Sequence, residues 1–269
     1  MNTMTENKGN YAPVNDLNMY YEVHGAGRPL VMLHGAFGTI SSLGAILPSL
    51  AETHQVIGIE QQGHGHTADI DRPLNYEQMA EDTVALLRHL NIENADLFGY
   101  SMGTGIALPI AIQFPDLVRK LVLASPAYNR EGFHHGVLEG IQSITPELFI
   151  GSPIEVEYLK SAPNPRDFPK LVEKVKQMDR EFKEWPSEAI QSLKAPTLII
   201  IGDSDGTRPE HAVEMFRLLG GGVFGDVAGL PDSQLAILPG TTHVSLIYRA
   251  DWLVSMITEF LDAPMPEGK

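Results

Sequence analysis

The 269-residue chain contains no cysteine. That excludes disulfides, a thiolate nucleophile and any zinc site built on cysteine, while leaving the redox compartment open. Basic residues are scarce too: 19 Lys and Arg stand against 34 Asp and Glu, a formal net charge of -15. Without a basic footprint the chain is not expected to bind nucleic acid or an anionic membrane, and neutral or cationic small molecules fit better as partners. The acidic excess also serves solubility. No run of apolar residues approaches the length of a membrane span, and the opening MNTMTENKGN lacks the apolar stretch of a secretion signal, so a cytoplasmic location is expected. With 43% hydrophobic residues the chain can still bury a sizeable core. Its length suits one large domain or a domain carrying an insertion.

Strand-like and helix-like segments alternate through the first half, as in a mainly parallel sheet covered by helices on both faces. Met19–Val23 reads as an edge strand, followed by short buried strands at Leu30–Leu33, Val56–Ile59, Leu97–Phe98 and Leu121–Ala124. Helical spacing is expected over Ile40–Glu52, over Tyr76–Leu90 with Met79, Val84, Leu86, Leu87 and Leu90 on one period, and over Gly105–Phe114. The alternation breaks near Ser125. From Tyr128 to Lys194 the chain is rich in proline, shows helix-like stretches such as Leu171–Phe182, and has no buried strand pattern. We read residues 127–194 as a helical insertion bracketed by a core of residues 1–126 and 195–269. The core pattern resumes with Thr197–Ile201, a helix over Glu210–Leu219, a strand at Leu235–Leu238 and a final helix over Asp251–Leu261. Before the last strand runs an unusually long glycine-rich connection, Gly220 to Pro231.

Gly99-Tyr100-Ser101-Met102-Gly103 follows the strand-like Ala95–Phe98 directly. A nucleophile on a sharp strand-to-helix turn needs small neighbours, because the backbone is strained there and other segments cross close by. A serine hydroxyl is un-ionised at neutral pH, so it needs a base within hydrogen-bond reach and an acid to orient that base. Gly202-Asp203-Ser204-Asp205 offers the acid at the end of a predicted strand, and His243 follows the last strand in Pro239-Gly240-Thr241-Thr242-His243. Ser101, Asp205 and His243 thus each lie just beyond a strand, where the functional residues of parallel sheets collect.

Through Leu33–Gly38, Gly63-His64-Gly65, the GYSMG turn, GDSD and PGTTH, in that order, nearly the whole chain resembles the α/β-hydrolase superfamily. The resemblance implies a mostly parallel eight-stranded sheet and a serine hydrolase with Ser101 as nucleophile, His243 as base and acid, and Asp205 rather than Asp203 as the orienting acid. It also implies backbone N–H groups of Ala36 and Met102 as the oxyanion hole, and a structural, hydrogen-bonded His34. His64, His66 and Asp69 have a spacing that a metal can use, but the resemblance implies no metal on that loop, and no cofactor. His134 and His135 are expected to be solvated. Phe37, Tyr100 and Tyr128 adjoin the motifs and are candidate pocket walls.

The expected substrate is a small-molecule carboxylic ester or lactone, cleaved through an acyl-enzyme. A macrolide-type lactone is a specific possibility, suggested by an acidic enzyme with a proline-rich insertion acting as a cap over Ser101, and would place the chain in antibiotic resistance. The alternatives are a C–C bond hydrolase, a cofactor-free perhydrolase, and a ligand-binding receptor on the same fold. Serine rather than aspartate at the turn argues against dehalogenase and epoxide hydrolase chemistry.

Overall fold

A computed structural model describes residues 9–266, so most of the N-terminal stretch read for a secretion signal, residues 1–8, lies outside the described residues. Among the described residues eight strands form one sheet: β1 (Asn10–Val14), β2 (Leu17–His24), β3 (Arg28–Leu33), β4 (His54–Ile59), β5 (Ala95–Tyr100), β6 (Val118–Ala124), β7 (Thr197–Ser204) and β8 (Gln234–Thr242). Their spatial order is β1-β2-β4-β3-β5-β6-β7-β8. β1 and β2 form an antiparallel hairpin and β2 runs antiparallel to β4; the remaining neighbours are parallel.

The helices are α1 (Ile46–Leu50), α2 (Tyr76–His89), α3 (Met102–Gln113), α4 (Val137–Gln142), α5 (Pro153–Ser161), α6 (Phe168–Arg180), α7 (Ser187–Gln191), α8 (Pro209–Leu218), α9 (Gly225–Ala228), α10 (His243–Leu246) and α11 (Ala250–Asp262). No helix among the described residues is long and apolar enough to cross a membrane.

Side chains alternate across a strand, so each central strand feeds two cores. Val31, Leu33, Leu97, Leu121, Leu123 and Ile199 pack on one face with α2, α3 and α8 side chains such as Val84, Ile106 and Met215. Leu30, Met32, Phe98, Val122, Leu198 and Ile200 pack on the other with Leu47, Leu50, Leu253 and Ile257 of α1 and α11. This double burial is why Leu30–Leu33, Leu97–Phe98, Leu121–Ala124 and Leu198–Ile201 within β3, β5, β6 and β7 read as unbroken apolar runs.

Two local readings change. The segment Ile40–Glu52 is not one helix: a 3-10 turn at Ile40–Leu43 ends at Gly44, whose φ of 54° leaves the helical region, and α1 then starts afresh at Ile46. The edge hairpin gains β1, whose short, proline-containing sequence NYAPV carries no alternation strong enough to announce a strand. Between β6 and β7 the described elements are helices and 3-10 turns, and the prolines start helices rather than break them: Pro153 opens α5 and Pro169 stands in the first turn of α6. The glycine-rich connection before β8 holds the one-turn α9 and leaves Phe224, Val227 and Leu230 exposed.

The strand order reverses around β3, with β4 on one side and β5 on the other. The pairing of Leu33 with Gly99 sets the loop after β3 beside the turn after β5, at the carboxyl ends where open α/β sheets bind ligands.

Candidate active site

Ser101 caps α3 with φ 53° and ψ -116°, outside the regions an L-residue prefers. The turn is held from three sides: Ser101 N–H donates to the Ala124 carbonyl at 2.9 Å, and the Ser101 carbonyl accepts from Thr104 N–H at 2.8 Å and Thr104 Oγ1 at 2.7 Å. A Cβ on Gly103 would lie 2.2 Å from the Leu33 carbonyl oxygen, and one on Gly99 would lie 2.4 Å from the Gly103 carbonyl oxygen. Glycine at both positions lets β3, β5 and α3 approach this closely.

From this turn a hydrogen-bonded line runs across the sheet ends. Ser101 Oγ lies 2.9 Å from His243 Nε2, and His243 Nδ1 lies 2.8 Å from Asp205 Oδ1. Asp205 follows β7 and is buried; burial alone would raise its carboxyl, but bonds from His243, from Ser125 Oγ and from Thr207 N–H outweigh it and hold the group below the ordinary aspartate value. The Ser125 hydroxyl donates to Asp205 Oδ2 at 2.5 Å. Ser125 was missed in the sequence, where it marked only the end of a strand. Its φ of 59° at the end of β6 is the structural trace of that role. Asp203, in contrast, is exposed and accepts from the N–H groups of Gly240 and Thr241, at 2.9 and 3.1 Å, which fixes the loop that leads to His243.

His34 follows β3. Its Nδ1 is 2.8 Å from the Gly35 carbonyl and its Nε2 accepts from Gln61 N–H at 3.2 Å, so it is the neutral Nδ1–H tautomer, wholly buried and tied on both sides. This clamps the Gly35–Gly38 turn, which carries Ala36 and the left-handed Phe37 (φ 60°). Met102 is the first residue of α3, where a backbone N–H has no acceptor within the helix. Ala36, Phe37, Tyr100 and Met102 all line one cavity with Ser101 and His243. Tyr100 does more than line it: its hydroxyl donates to the His243 carbonyl at 2.8 Å and its ring stacks on the imidazole at 5.5 Å.

Tyr128 does not line the cavity. Beyond the Ser125 turn the chain heads toward α8, where the Tyr128 ring stacks on His211 and its hydroxyl donates to Glu214 at 2.8 Å. The residues of the possible metal cluster are engaged elsewhere: His64 Nδ1 with the Gln62 carbonyl, His66 with Glu60, and Asp69 with Lys170 and Lys174. Among the described residues no group of three or more His, Asp or Glu is gathered to hold a metal. His134 and His135 are exposed.

Burial pushes His34 down to about 4, against its Gly35 bond; His64 falls to about 3 through burial first and the neighbouring His34 second. In the unfolded chain both titrate near 6.5. Between that value and their folded values the unfolded chain binds more protons, so stability is lost as pH falls, by up to about 1.4 kcal/mol per pH unit for each histidine. Melting temperature should therefore drop steeply from pH 6.5 to pH 4.5; a flat profile by circular dichroism over that range would contradict the neutral, buried assignment.

The cavity has a volume of about 740 Å³. Ser101, His243 and the Gly35–Gly38 turn line it from the sheet ends, and Phe133, Val137, Ile141, Met178 and Phe182 line it from the segment between β6 and β7.

The sequence family with the alpha/beta hydrolase fold matches residues 28–151, which span β3 to β6 and include both the His34 turn and Ser101. The chain has the α/β-hydrolase fold. A meta-cleavage product hydrolase of Pseudomonas fluorescens IP01 superposes with a TM-score of 0.74 at 19% identity, over 95% of this chain and 97% of that one. By sequence, a candidate esterase/lipase of Haemophilus influenzae is 36% identical over 117 residues, 43% of this chain and 40% of the relative. A 2-hydroxymuconate semialdehyde hydrolase of a Pseudomonas species is 36% identical over 124 residues, 45% of this chain and 42% of the relative. The chain thus aligns with about two fifths of each of these two relatives. Among the described residues the fold these comparisons share is an eight-stranded, mostly parallel sheet with helices on both faces.

Proposed function

We propose that this protein is a hydrolase that cleaves a carboxylic ester or lactone through an acyl-enzyme on Ser101. The observation that carries the reading is the unbroken line from Ser101 Oγ through His243 to the buried Asp205, opening onto a largely apolar cavity of about 740 Å³. His243 Nε2 takes the Ser101 proton as Oγ attacks the carbonyl. Asp205 holds the Nδ1–H tautomer and stabilises the imidazolium. The Ala36 and Met102 N–H groups receive the developing oxyanion, and His34 keeps the first of them in place by clamping its turn. Collapse breaks the bond to the alcohol oxygen, which leaves with the proton from His243. Water then gives a proton to His243 and attacks the acyl-enzyme, releasing the acid and restoring Ser101. Residues 127–194 act as a cap that shapes the substrate.

The charges lining the cavity favour this over C–C cleavage of a carboxylate substrate such as the one in the name of the 2-hydroxymuconate semialdehyde hydrolase. Glu157 and Asp179 line it and no lysine or arginine does among the described residues, so a substrate carboxylate would meet like charge without a partner.

The test joins active-site labelling to a substrate panel. A fluorophosphonate probe should label the intact protein and leave Ser101→Ala unlabelled. Aryl esters, lactones that include a macrolide, and a vinylogous C–C substrate should then be compared by kcat/KM, with lactone opening read by mass spectrometry. Absence of labelling points instead to a ligand-binding role; turnover confined to the C–C substrate overturns the ester reading.

A further inference from the structure

One corner of the cavity departs from its apolar walls. Asp179, in the last turn of α6, lines it, and its Oδ2 accepts from Gln142 Nε2 at 2.9 Å while Oδ1 makes no hydrogen bond to a described residue. The two nearby guanidinium groups are committed elsewhere. Arg130 Nη2 donates to the carbonyls of Asp179 and Arg180 at 2.7 and 2.8 Å, and Arg180 Nη1 donates to Gln142 Oε1 at 2.7 Å. Burial lifts the Asp179 carboxyl above its ordinary value in spite of Gln142, Arg130 and Arg180. Its charge is under-compensated, and a cation would relieve it.

Of the aromatic rings that line the same cavity, Tyr76, Phe133 and Phe182 form one cluster. Phe182 stands edge-on to Tyr76 at 5.9 Å and 89°, and to Phe133 at 6.4 Å and 78°. The Tyr76 ring rests on Gly105, where a Cβ would meet Cε1 at 2.4 Å. Gly105 is four residues beyond Ser101 on α3, a rise of about 6 Å. Burial first and the Asp179 charge second push the Tyr76 phenol well up, and Phe182 N–H donates to the Asp179 carbonyl at 3.2 Å, which puts the carboxylate and the Phe182 ring on one turn facing the same cavity. The Tyr76 hydroxyl has no partner among the described residues.

Aromatic faces attract cations, most strongly where water is excluded, and a carboxylate beside them adds charge without closing the pocket. A primary ammonium carries three N–H donors, more than one free carboxylate oxygen and one phenol readily serve. An alkylated ammonium presents few or no donors and a methyl surface that fits the rings. We propose that Asp179, Tyr76, Phe133 and Phe182 form a subsite for a tertiary or quaternary alkylammonium group on the substrate, about one helical turn from Ser101. This rests on the ester-hydrolase reading and names the substrate class within it: an ester or lactone bearing an alkylated amine.

Two probes of one shape separate charge from size: 4-nitrophenyl 6-(trimethylammonio)hexanoate and its carbon isostere, 4-nitrophenyl 7,7-dimethyloctanoate. The wild type should favour the ammonium ester in kcat/KM by about 30-fold. Asp179→Asn and Phe182→Leu should each bring that ratio to within about threefold of one; the second variant serves where the first does not fold, as checked by thermal melting. A wild-type ratio near one, or a ratio that survives both substitutions, overturns the subsite. So does an Asp179→Asn protein that melts lower with an unchanged ratio, since Asp179 would then only anchor α6 to Gln142. If neither ester is cleaved, the reaction assigned to Ser101 is at fault, and the subsite is judged by calorimetry with hexyltrimethylammonium: binding to wild type that is lost in Phe182→Leu upholds it, and no binding overturns it.

Discussion

Turnover of any ester substrate should fall by about 10⁴-fold in Asp205→Asn, and only a few-fold in Asp203→Asn. The two acids are two residues apart, both at the end of β7, but their surroundings differ. Asp205 is buried and receives three bonds, from His243, Ser125 and Thr207. Its carboxylate fixes His243 with the proton on Nδ1, leaving Nε2 free to accept from Ser101. An asparagine there can present its amide N–H₂ to Nδ1, which stabilises the other tautomer and puts a proton where the base must be vacant. The geometry survives and the chemistry does not. Asp203 faces solvent and caps the N–H groups of Gly240 and Thr241, and an asparagine oxygen can keep one of those two bonds. The reverse ranking in kcat, measured with a chromogenic ester, would assign the acid to Asp203. Ser125→Ala belongs to the same experiment. Losing the 2.5 Å bond to Oδ2 removes one of the contacts that hold the Asp205 carboxyl low, so the acidic limb of the kcat/KM profile should move.

What the sequence made legible at this site was position along the chain. Ser101, Asp205 and His243 could be placed because each follows a strand, and strand ends converge in a parallel sheet. Ser125 follows a strand too, but a lone serine at a strand end carries no motif, and only the pairing of β6 with β7 brings it against Asp205. Tyr128 shows the opposite error: adjacency in sequence suggested a cavity wall, while the direction of the chain after the Ser125 turn carried the ring to His211. The cavity residues Tyr76, Phe133 and Phe182 were equally out of reach. They come from α2, a loop and the end of the α6 region, and no local period links them. Helices were readable where one apolar face met the sheet, as in α2 and α11, and misread at Ile40–Glu52, where one glycine's dihedral overrode the spacing.

The glycines of the GYSMG turn yield the largest effect on stability. Gly103→Ala should prevent the protein from folding, or destabilise it by at least about 4 kcal/mol. The new methyl would stand 2.2 Å from the Leu33 carbonyl oxygen and 3.0 Å from the Leu33 Cβ. A flexible side chain could swing away, but a carbonyl cannot. Leu33 ends β3, which is paired with β4 on one side and with β5 on the other, so moving its carbonyl means breaking parallel ladders at the centre of the sheet. Nor can α3 retreat, because Ser101 N–H is bonded to the Ala124 carbonyl and the buried Ile106 and Ile110 fasten the helix to the core. Gly140→Ala supplies the contrast. That residue lies inside α4 with nothing within 4 Å of its would-be Cβ, so alanine should stabilise the protein by about 0.5–1 kcal/mol through helix propensity. Urea unfolding of both variants gives the comparison directly. If Gly103→Ala unfolds at the wild-type midpoint, the close crossing of β3 over α3 is wrong, and with it the seat of Ser101; if the two substitutions differ as stated, the small residues around the serine are there for the backbone that passes over them.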